Sequence, residues 1–468
     1  MTANEPRGVL VFDVGSTNTK LVLFDAAGKA LMERRTPSRH VPGPVYQSLD
    51  NEPALELLRQ TLGAFDAVAP VDVIVPSTHG SALALLDADG KLALPMMDYL
   101  TEPPRGVFEA YAAIEPPFEE TFCPTNPMAL TLGLQLMWQQ QAFPDAFARV
   151  KTIMPMAQYF AFELTGKATT EVTALGAQTH LLDVRTNDYS SLVKAKGWDK
   201  LFAPRARAFD TVGVLAEKWR PEGFRGHGAV KAGIHDSNAN YLRYLAAGLP
   251  SFTLLSTGTW IIVFDTDADY RALDPRRDTA TNTDYLGRPV ACGRFMGGHE
   301  IEAVLAGAPA GAADLATTTA IVSRGTMALP SFTDSGGPMP ATGGRGRIVG
   351  PAAGTDAERA SLAALYCAQM VDQSLQAVGA KNDIIVDGPF SQNTVFMAVL
   401  AALRPGQRVL ASDLRDGTAA GAALLAHVGP DRNPPKRAIA LKPVEAARFE
   451  KLEDYQLRWT AHAYEQAS

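Results

Sequence analysis

Asp13 ends an apolar run, Val9–Phe12, and is followed by Gly15, Ser16, Thr17, Asn18, Thr19 and Lys20. A second apolar run, Leu21–Phe24, comes directly after. The pattern reads as strand, small polar turn, strand. A turn of glycine and hydroxyl residues exposes several backbone N–H groups, and these can wrap phosphate oxygens together with the hydroxyls. Glycine suits that task because a Cβ would hold the phosphate away. A single carboxylate at the same turn can hold Mg²⁺ through water, since this ion uses few carboxylates and completes its shell with substrate phosphates and water. Lys20 adds a charge that can face phosphate. An ordinary polar hairpin turn with a helpful Asp has the same composition.

The plan returns about half the chain later in "FTLLSTGTWIIVFD", Phe252–Asp265, whose turn holds Thr257, Gly258 and Thr259. Two such turns, one per domain and facing each other across a cleft, would clamp a polyphosphate. A further acid, Asp236, stands in "HDSNANYLRYLAAG" just before a helical run. That position suits a helix cap. It equally suits a general base that accepts a hydroxyl proton during phosphoryl transfer.

These residues need a scaffold. A chain of 468 residues exceeds one ordinary hydrophobic core, so two domains are expected. Hydrophobic content of 46% and charged content of 20% are those of a globular protein. The formal net charge of -7, from 43 basic and 50 acidic residues, argues against nucleic-acid or anionic-membrane partners. Cys123, Cys292 and Cys367 are odd in number and far apart, which fits a reducing cytoplasm better than a disulfide or zinc framework. The N-terminus has no apolar signal-peptide region, and no apolar run has membrane-spanning length.

Strand and helix signals alternate. Ala82–Pro95 reads as a hairpin about a D-x-D-G-K turn, Pro53–Phe65 as a helix and Val71–Val75 as a strand. Leu130–Gln141, Ala157–Gly166 and Ala357–Val378 read as helices, with Gly166 as a stop. Glu300–Met327 reads as helical and Ala-rich, Ser335–Arg347 as loop, and Asp383–Gly388 as a strand ending in an acid and a glycine. The expectation is an α/β protein with a weak internal repeat, divided into residues 1–245 and 246–468.

Four motifs in order resemble the FGGY family of sugar kinases, within the actin, Hsp70 and hexokinase superfamily. "DVGSTNTK" (Asp13–Lys20) is similar to the first phosphate motif and "STGTW" (Ser256–Trp260) to the second. "AGIHDSNANYL" (Ala232–Leu242) is similar to the catalytic-Asp segment, and "VDGPFSQN" (Val386–Asn393) to the adenosine-side motif, with Pro389 where a second glycine is usual. The resemblance runs from residue 9 to about residue 425. It implies two actin-like (ribonuclease H-like) domains with a central cleft, and ATP and Mg²⁺ as cofactors. It also implies Asp236 as base and Asp13 for the metal. The nucleotide would be held by Ser16, Thr17, Asn18, Lys20, Thr257, Gly258, Thr259, Gly388, Pro389, Gln392 and Asn393.

On the sugar side, His79 and Gly80 stand where family members carry a substrate-contacting pair. The family's Asp-x-Arg landmark is missing from "MMDYLTEPP" (Met97–Pro104), where Asp98, Tyr99 and Glu102 are the nearby candidates. "LTGKATTEVTALGAQTHLLDVRTNDY" (Leu164–Tyr189) resembles the rhamnulokinase and fuculokinase branch. That branch would bring Glu171, Thr173 and Gln178 near the sugar, and the resemblance also implies His235 and Asp236 as substrate-contacting residues. "GRFMGGHE" (Gly293–Glu300) could border the nucleotide or only reverse the chain. The small residues Gly417, Ala419, Gly421 and Ala423 of "DLRDGTAAGAALLA" (Asp413–Ala426) would let a helix pack behind the nucleotide loop. The implied activity is ATP-dependent phosphorylation of a terminal hydroxyl of a ketose, such as rhamnulose or fuculose, or ribulose, xylulose or erythrulose. A nucleotide hydrolase and a non-catalytic sugar sensor on this scaffold are the rival readings. Dimers are common in the family.

Overall fold

A computed structural model describes residues 5–334, 337–412, 417–429 and 431–467. The first part of the loop Ser335–Arg347 and the acids Asp413 and Asp416 therefore lie outside the described residues. The chain forms two compact units. The first runs to Gly248 and also takes in Thr281–Pro289 and the stretch up to Arg437 that contains the helix Gly417–Leu424. The second comprises Leu249–Ala280, the chain from Val290 to the strand Val409–Ser412, and Ala438 onward. A single cut at residue 245 does not capture this discontinuity, because the returning segments carry no composition shift that marks them.

The sheet of the first unit contains β1 (Gly8–Val14), β2 (Asn18–Asp25), β3 (Ala30–Pro37), β4 (Val73–Thr78), β5 (Thr211–Val214), β6 (Ala229–Lys231) and β7 (Ile234–His235). Their order is β5-β6-β4-β1-β2-β3, with β7 also on β4. β1 pairs antiparallel with β2, in a register that sets Asp13 opposite Lys20, and parallel with β4, which sets Asp13 beside Ser77. Every residue of β1 is buried because both faces of the sheet are covered. Side chains alternate between those faces. Leu10 and Phe12 join Leu58, Leu62 and Phe65 of α1 (Glu52–Val68) and Phe160 of α2 (Met156–Thr165). Val9 and Val11 join Ala239, Leu242 and Ala246 of α3 (Asp236–Ala246), and Ala419, Ala422 and Ala423 of the Gly417–Leu424 helix. The alternation thus assigns Asp13 to the face that α3 covers.

A second sheet repeats the plan, its strands belonging to the second unit except for Thr281–Thr283 and Pro289. β8 (Thr253–Thr257), β9 (Ile261–Asp265), β10 (Thr279–Thr283), β11 (Pro289–Phe295), β12 (Ile384–Asp387), β13 (Val409–Ser412) and β14 (Leu441–Pro443) run in the order β10-β11-β9-β8-β12-β13-β14. β8 pairs antiparallel with β9 and parallel with β12, as β1 does with β2 and β4. This recurrence is the physical content of the internal repeat.

The expected helices form with small boundary shifts, and Gly166 stops α2 in the left-handed conformation at φ 73°. The expected hairpin at Ala82–Pro95 does not form as such. Leu83–Leu86 pairs along its length with Thr152–Pro155, and the local pairing is confined to the Leu86–Leu92 bridge with the Asp87 N–Lys91 O and Ala93 N–Leu85 O hydrogen bonds, both 2.8 Å. A strand buried on both sides takes the partner that completes the core, and the D-x-D-G-K turn only reverses the chain. Glu300–Met327 is not one helix but α4 (Gly297–Leu305) and α5 (Leu315–Arg324), separated by a 3₁₀ turn at Ala310–Ala312.

Candidate active site

In the first unit the turn after β1 is closed by Gly15 N–H donating to Asn18 O at 3.0 Å. It leaves Thr17 and Asn18 exposed and Ser16 and Lys20 half-buried. Ser38 holds it from β3's side: its N–H donates to Thr17 O at 3.0 Å and its Oγ to Gly15 O at 2.7 Å. Asp13 is 9% exposed beneath the turn. Ser77, its register partner, carries a buried hydroxyl with no hydrogen-bond partner.

Asp236 opens α3. Its Oδ1 accepts from Ser237 N at 2.5 Å and from Ser237 Oγ at 3.2 Å, and lies 3.2 Å from His235 Nε2. Oδ2 makes no hydrogen bond to the described residues, and the side chain is 29% exposed. Asp236 is therefore not the helix cap: the N-cap position belongs to His235, and Asp236 is the first helical residue. The His235 ring is fixed by its neighbours. Asn238 Nδ2 donates to the Thr283 carbonyl and, at 3.0 Å, to Asn282 Oδ1. Asn238 Oδ1 must then accept from His235 Nδ1 at 2.5 Å. His235 Nε2 therefore faces Asp236 Oδ1, and Oδ2 is the open oxygen.

Gly80 is the space that allows this ring its place. A Cβ there would sit 3.0 Å from His235 Nε2 and 3.2 Å from its Cδ2. His79, 8% exposed, has Nδ1 at 2.6 Å from the Gly80 carbonyl, so that nitrogen donates. Burial lowers the affinity of the ring for a second proton, against the nearby charges of Asp236 and Asp98. Nε2 of the neutral ring is then an acceptor for a substrate hydroxyl. Tyr99 packs edge-on against His79 with centroids 5.5 Å apart. His79, Gly80, Tyr99, His235 and Asp236 are thus brought together.

Asp98 sits differently from a sugar-facing acid. It is fully buried. Its Oδ2 accepts from His40 Nδ1 at 2.7 Å and Gln47 Nε2 at 2.5 Å, and its Oδ1 accepts from Leu100 N at 3.0 Å. Protein donors occupy both oxygens, so Asp98 orders the segment that carries Tyr99. Glu102 is exposed. Gln178 has a left-handed backbone (φ 63°) and a buried Oε1 without a partner. No hydrogen bond among the described residues joins it to His79 or Asp236.

Glu171 and Thr173 act from behind. Glu171 Oε2 accepts from Thr173 N at 2.9 Å and from Thr173 Oγ1 at 2.5 Å. Thr173 Oγ1 in turn accepts from His235 N at 3.1 Å. The pair therefore fixes the peptide that precedes the Asp236 carboxylate. Burial pushes the Glu171 carboxyl up from 4.5 to about 7, outweighing its hydrogen bonds. Between those two values the folded chain keeps a proton that the unfolded chain has lost, so stability falls as pH rises across the window. Glu171→Gln is expected to have a higher Tm than the parent at about pH 8, by up to ~3 kcal/mol of stability, with the gap closing toward about pH 4.5. Calorimetric melts at the two pH values read this directly.

In the second unit, Thr257 and the segment after β12 are in contact. Thr257 Oγ1 donates to the Asp387 carbonyl and accepts from Phe390 N at 3.2 Å. Gly388 has φ 87°, and a Cβ there would meet Thr257 O at 2.1 Å. Gly298 N donates to Thr259 O at 3.1 Å, and a Cβ on Gly298 would stand 2.8 Å from Gly258 O. The turn Gly293–Glu300 therefore borders the Ser256–Trp260 turn and does more than reverse the chain. Gly258 itself has no neighbour closer than 4.0 Å to an added Cβ, and Thr259 is exposed.

The segment after β12 borders a cavity of about 280 Å³ lined by Ala310, Gly311, Ala313, Pro389, Gln392, Asn393 and Thr394. Asn393 also caps the helix Thr394–Leu403 through Oδ1, 3.0 Å from Phe396 N. Phe390 is buried edge-on against Phe396 at 5.4 Å, so it fills the core behind the cavity. The Ala310–Ala313 wall escaped sequence reasoning; its run of small residues between two helices is the signal that could have marked it. The Gly417–Leu424 helix, expected behind the nucleotide loop, packs instead on α3 in the first unit, where a Cβ on Gly421 would lie 1.8 Å from Ala239 O. Small residues signalled the close approach, and the partner was not encoded locally.

Residues 8–208 match the N-terminal domain of the FGGY family of carbohydrate kinases, and residues 249–435 match the C-terminal domain of carbohydrate kinase FGGY. An L-fuculokinase from Salmonella typhi is 24% identical over 266 residues, 54% of this chain and 56% of that protein. An autoinducer-2 kinase from Salmonella typhimurium is 25% identical over 223 residues, 45% of this chain and 42% of that protein. The chain thus aligns with about half the length of these curated relatives. A carbohydrate kinase from Novosphingobium aromaticivorans superposes with a TM-score of 0.84 at 34% identity, covering 98% of this chain and 99% of that one. A xylulose kinase from Rhodospirillum rubrum superposes at 0.81 with 18% identity, covering 97% and 98%, a likeness of fold. Among the described residues, no helix is long and apolar enough to cross a membrane.

Proposed function

Because the chain belongs to the FGGY family of carbohydrate kinases, we propose that it transfers the γ-phosphoryl group of ATP to a terminal hydroxyl of a ketose. The observation that carries this reading is Asp236, which keeps Oδ1 on Ser237 and His235 and leaves Oδ2 open beside His79 and Tyr99. Oδ2 accepts the proton of the sugar hydroxyl while that oxygen bonds to the γ-phosphorus. The bond from that phosphorus to the β–γ bridging oxygen breaks, and ADP leaves. His79 Nε2 and Tyr99 orient the sugar, and His235 holds Asp236 in place.

Phosphate oxygens are assigned to Ser16, Thr17, Asn18 and Lys20, and to Thr257, Gly258 and Thr259. The nucleoside is assigned to Gly388, Pro389, Gln392 and Asn393. One carboxylate, Asp13, beside the buried hydroxyl of Ser77 fits Mg²⁺, which relies on few carboxylates plus phosphates and water. Asp13 would hold it, with the unpartnered Ser77 hydroxyl at its side. Bound Mg²⁺ would neutralise charge on the transferred phosphoryl group.

The L-fuculokinases among the relatives favour a 6-deoxy-ketohexose such as L-fuculose or L-rhamnulose as the substrate. A coupled ADP assay over rhamnulose, fuculose, ribulose, xylulose and erythrulose tests the reading. ADP release stimulated by one ketose is expected. Release indifferent to every sugar would mark a hydrolase instead, and no release a sensor.

A further inference from the structure

His40, on the short strand Arg39–Val41, joins the two halves of the first unit's site. Its Nε2 lies 3.0 Å from the Ser16 carbonyl oxygen and its Nδ1 lies 2.7 Å from Asp98 Oδ2. Gln47 Nε2 donates to the same Oδ2 and Leu100 N donates to Oδ1. The ring thus bridges a backbone oxygen of the turn and the Asp98 side chain.

We propose that His40 is a positioning residue whose ring ties the Gly15–Asn18 turn to the Asp98–Tyr99 segment. The inference rests on the reading of that turn as a phosphate site. A second tether runs in parallel: the Tyr99 hydroxyl hydrogen-bonds the Ser16 side chain. Asp98 faces the ring directly, and Arg39 on the same strand is paired with Asp50. Ser38 already holds the turn from β3's side, so the His40 bridge sets where the turn stands against the Asp98–Tyr99 segment. Sugar-side order and phosphate grip are thereby linked through one side chain.

Two readouts test this on the full chain. In steady-state assays, His40→Gln is expected to raise the KM for MgATP about tenfold while lowering kcat far less. In calorimetric titration, the same variant is expected to bind the nucleotide about tenfold more weakly than the parent. A His40→Gln variant that melts earlier yet keeps the parent's KM and nucleotide affinity would overturn the proposal. A parent that phosphorylates no ketose would overturn the functional reading instead, and the nucleotide titration would still decide whether the tie acts on the turn.

Discussion

Asp236→Asn is expected to lower sugar-dependent turnover by about 10²- to 10⁴-fold while nucleotide affinity stays within a few-fold, the loss characteristic of removing a general base. The substitution is nearly isosteric. Asn Oδ1 keeps the bonds from Ser237 N and Ser237 Oγ that Asp236 Oδ1 now accepts. Only Oδ2 changes, into an amide that cannot take a proton. The side chain is 29% exposed, so stability should barely move. ADP release with saturating ketose gives the turnover, and calorimetric titration with the nucleotide gives the affinity. Equal losses in both would mean that Asp236 orders the unit and does not receive a proton.

The second large effect is structural. Gly421→Ala is expected to destabilise the first unit by about 3 kcal/mol, the upper end of the range for overpacking. The added Cβ would lie 1.8 Å from Ala239 O and 2.6 Å from Ala239 C. Both atoms are backbone, so no side-chain rotation relieves the clash and the two helices must part. Because the displaced partner is α3, turnover should fall along with Tm. Gly106→Ala is the control: it lies in the helix Arg105–Ala112 with nothing within 4 Å of an added Cβ. It should stabilise by roughly 0.5–1 kcal/mol from helix propensity alone. Thermal melts of the two variants side by side separate a packing effect from a generic glycine effect.

These two sites also show what the sequence could and could not carry. The strand–turn–strand form of Asp13–Lys20 and Ser256–Trp260, and the helix that Asp236 opens, were legible because their signals are local. Each turn gathers its glycine and hydroxyls into one short segment, and the apolar runs around it fix the strands. The small residues of the Gly417–Leu424 helix announced a close contact but not its partner, since contact with Ala239 is set by the tertiary path of the chain. The same limit applies to Asp98. An acid in "MMDYLTEPP" reads as a sugar ligand, and only the fold reveals that His40, Gln47 and the Leu100 amide already occupy it. His40 left no signal at all, because a lone histidine on a short edge strand has no spacing pattern. The 83–86 strand failed for a related reason: its turn was correctly local, but its pairing with Thr152–Pro155 was decided by burial.

The central claim is that the open oxygen of Asp236 directs a phosphoryl group to a sugar hydroxyl and not to water. The most direct measurement supplies ATP with heavy oxygen on the γ-phosphate and follows the label by mass spectrometry in the presence of the accepted ketose. The account predicts a sugar phosphate that carries the γ-phosphate's non-bridging oxygens, joined through the sugar's own light oxygen, with little labelled inorganic phosphate. Label found only in inorganic phosphate, whatever sugar is present, would contradict it.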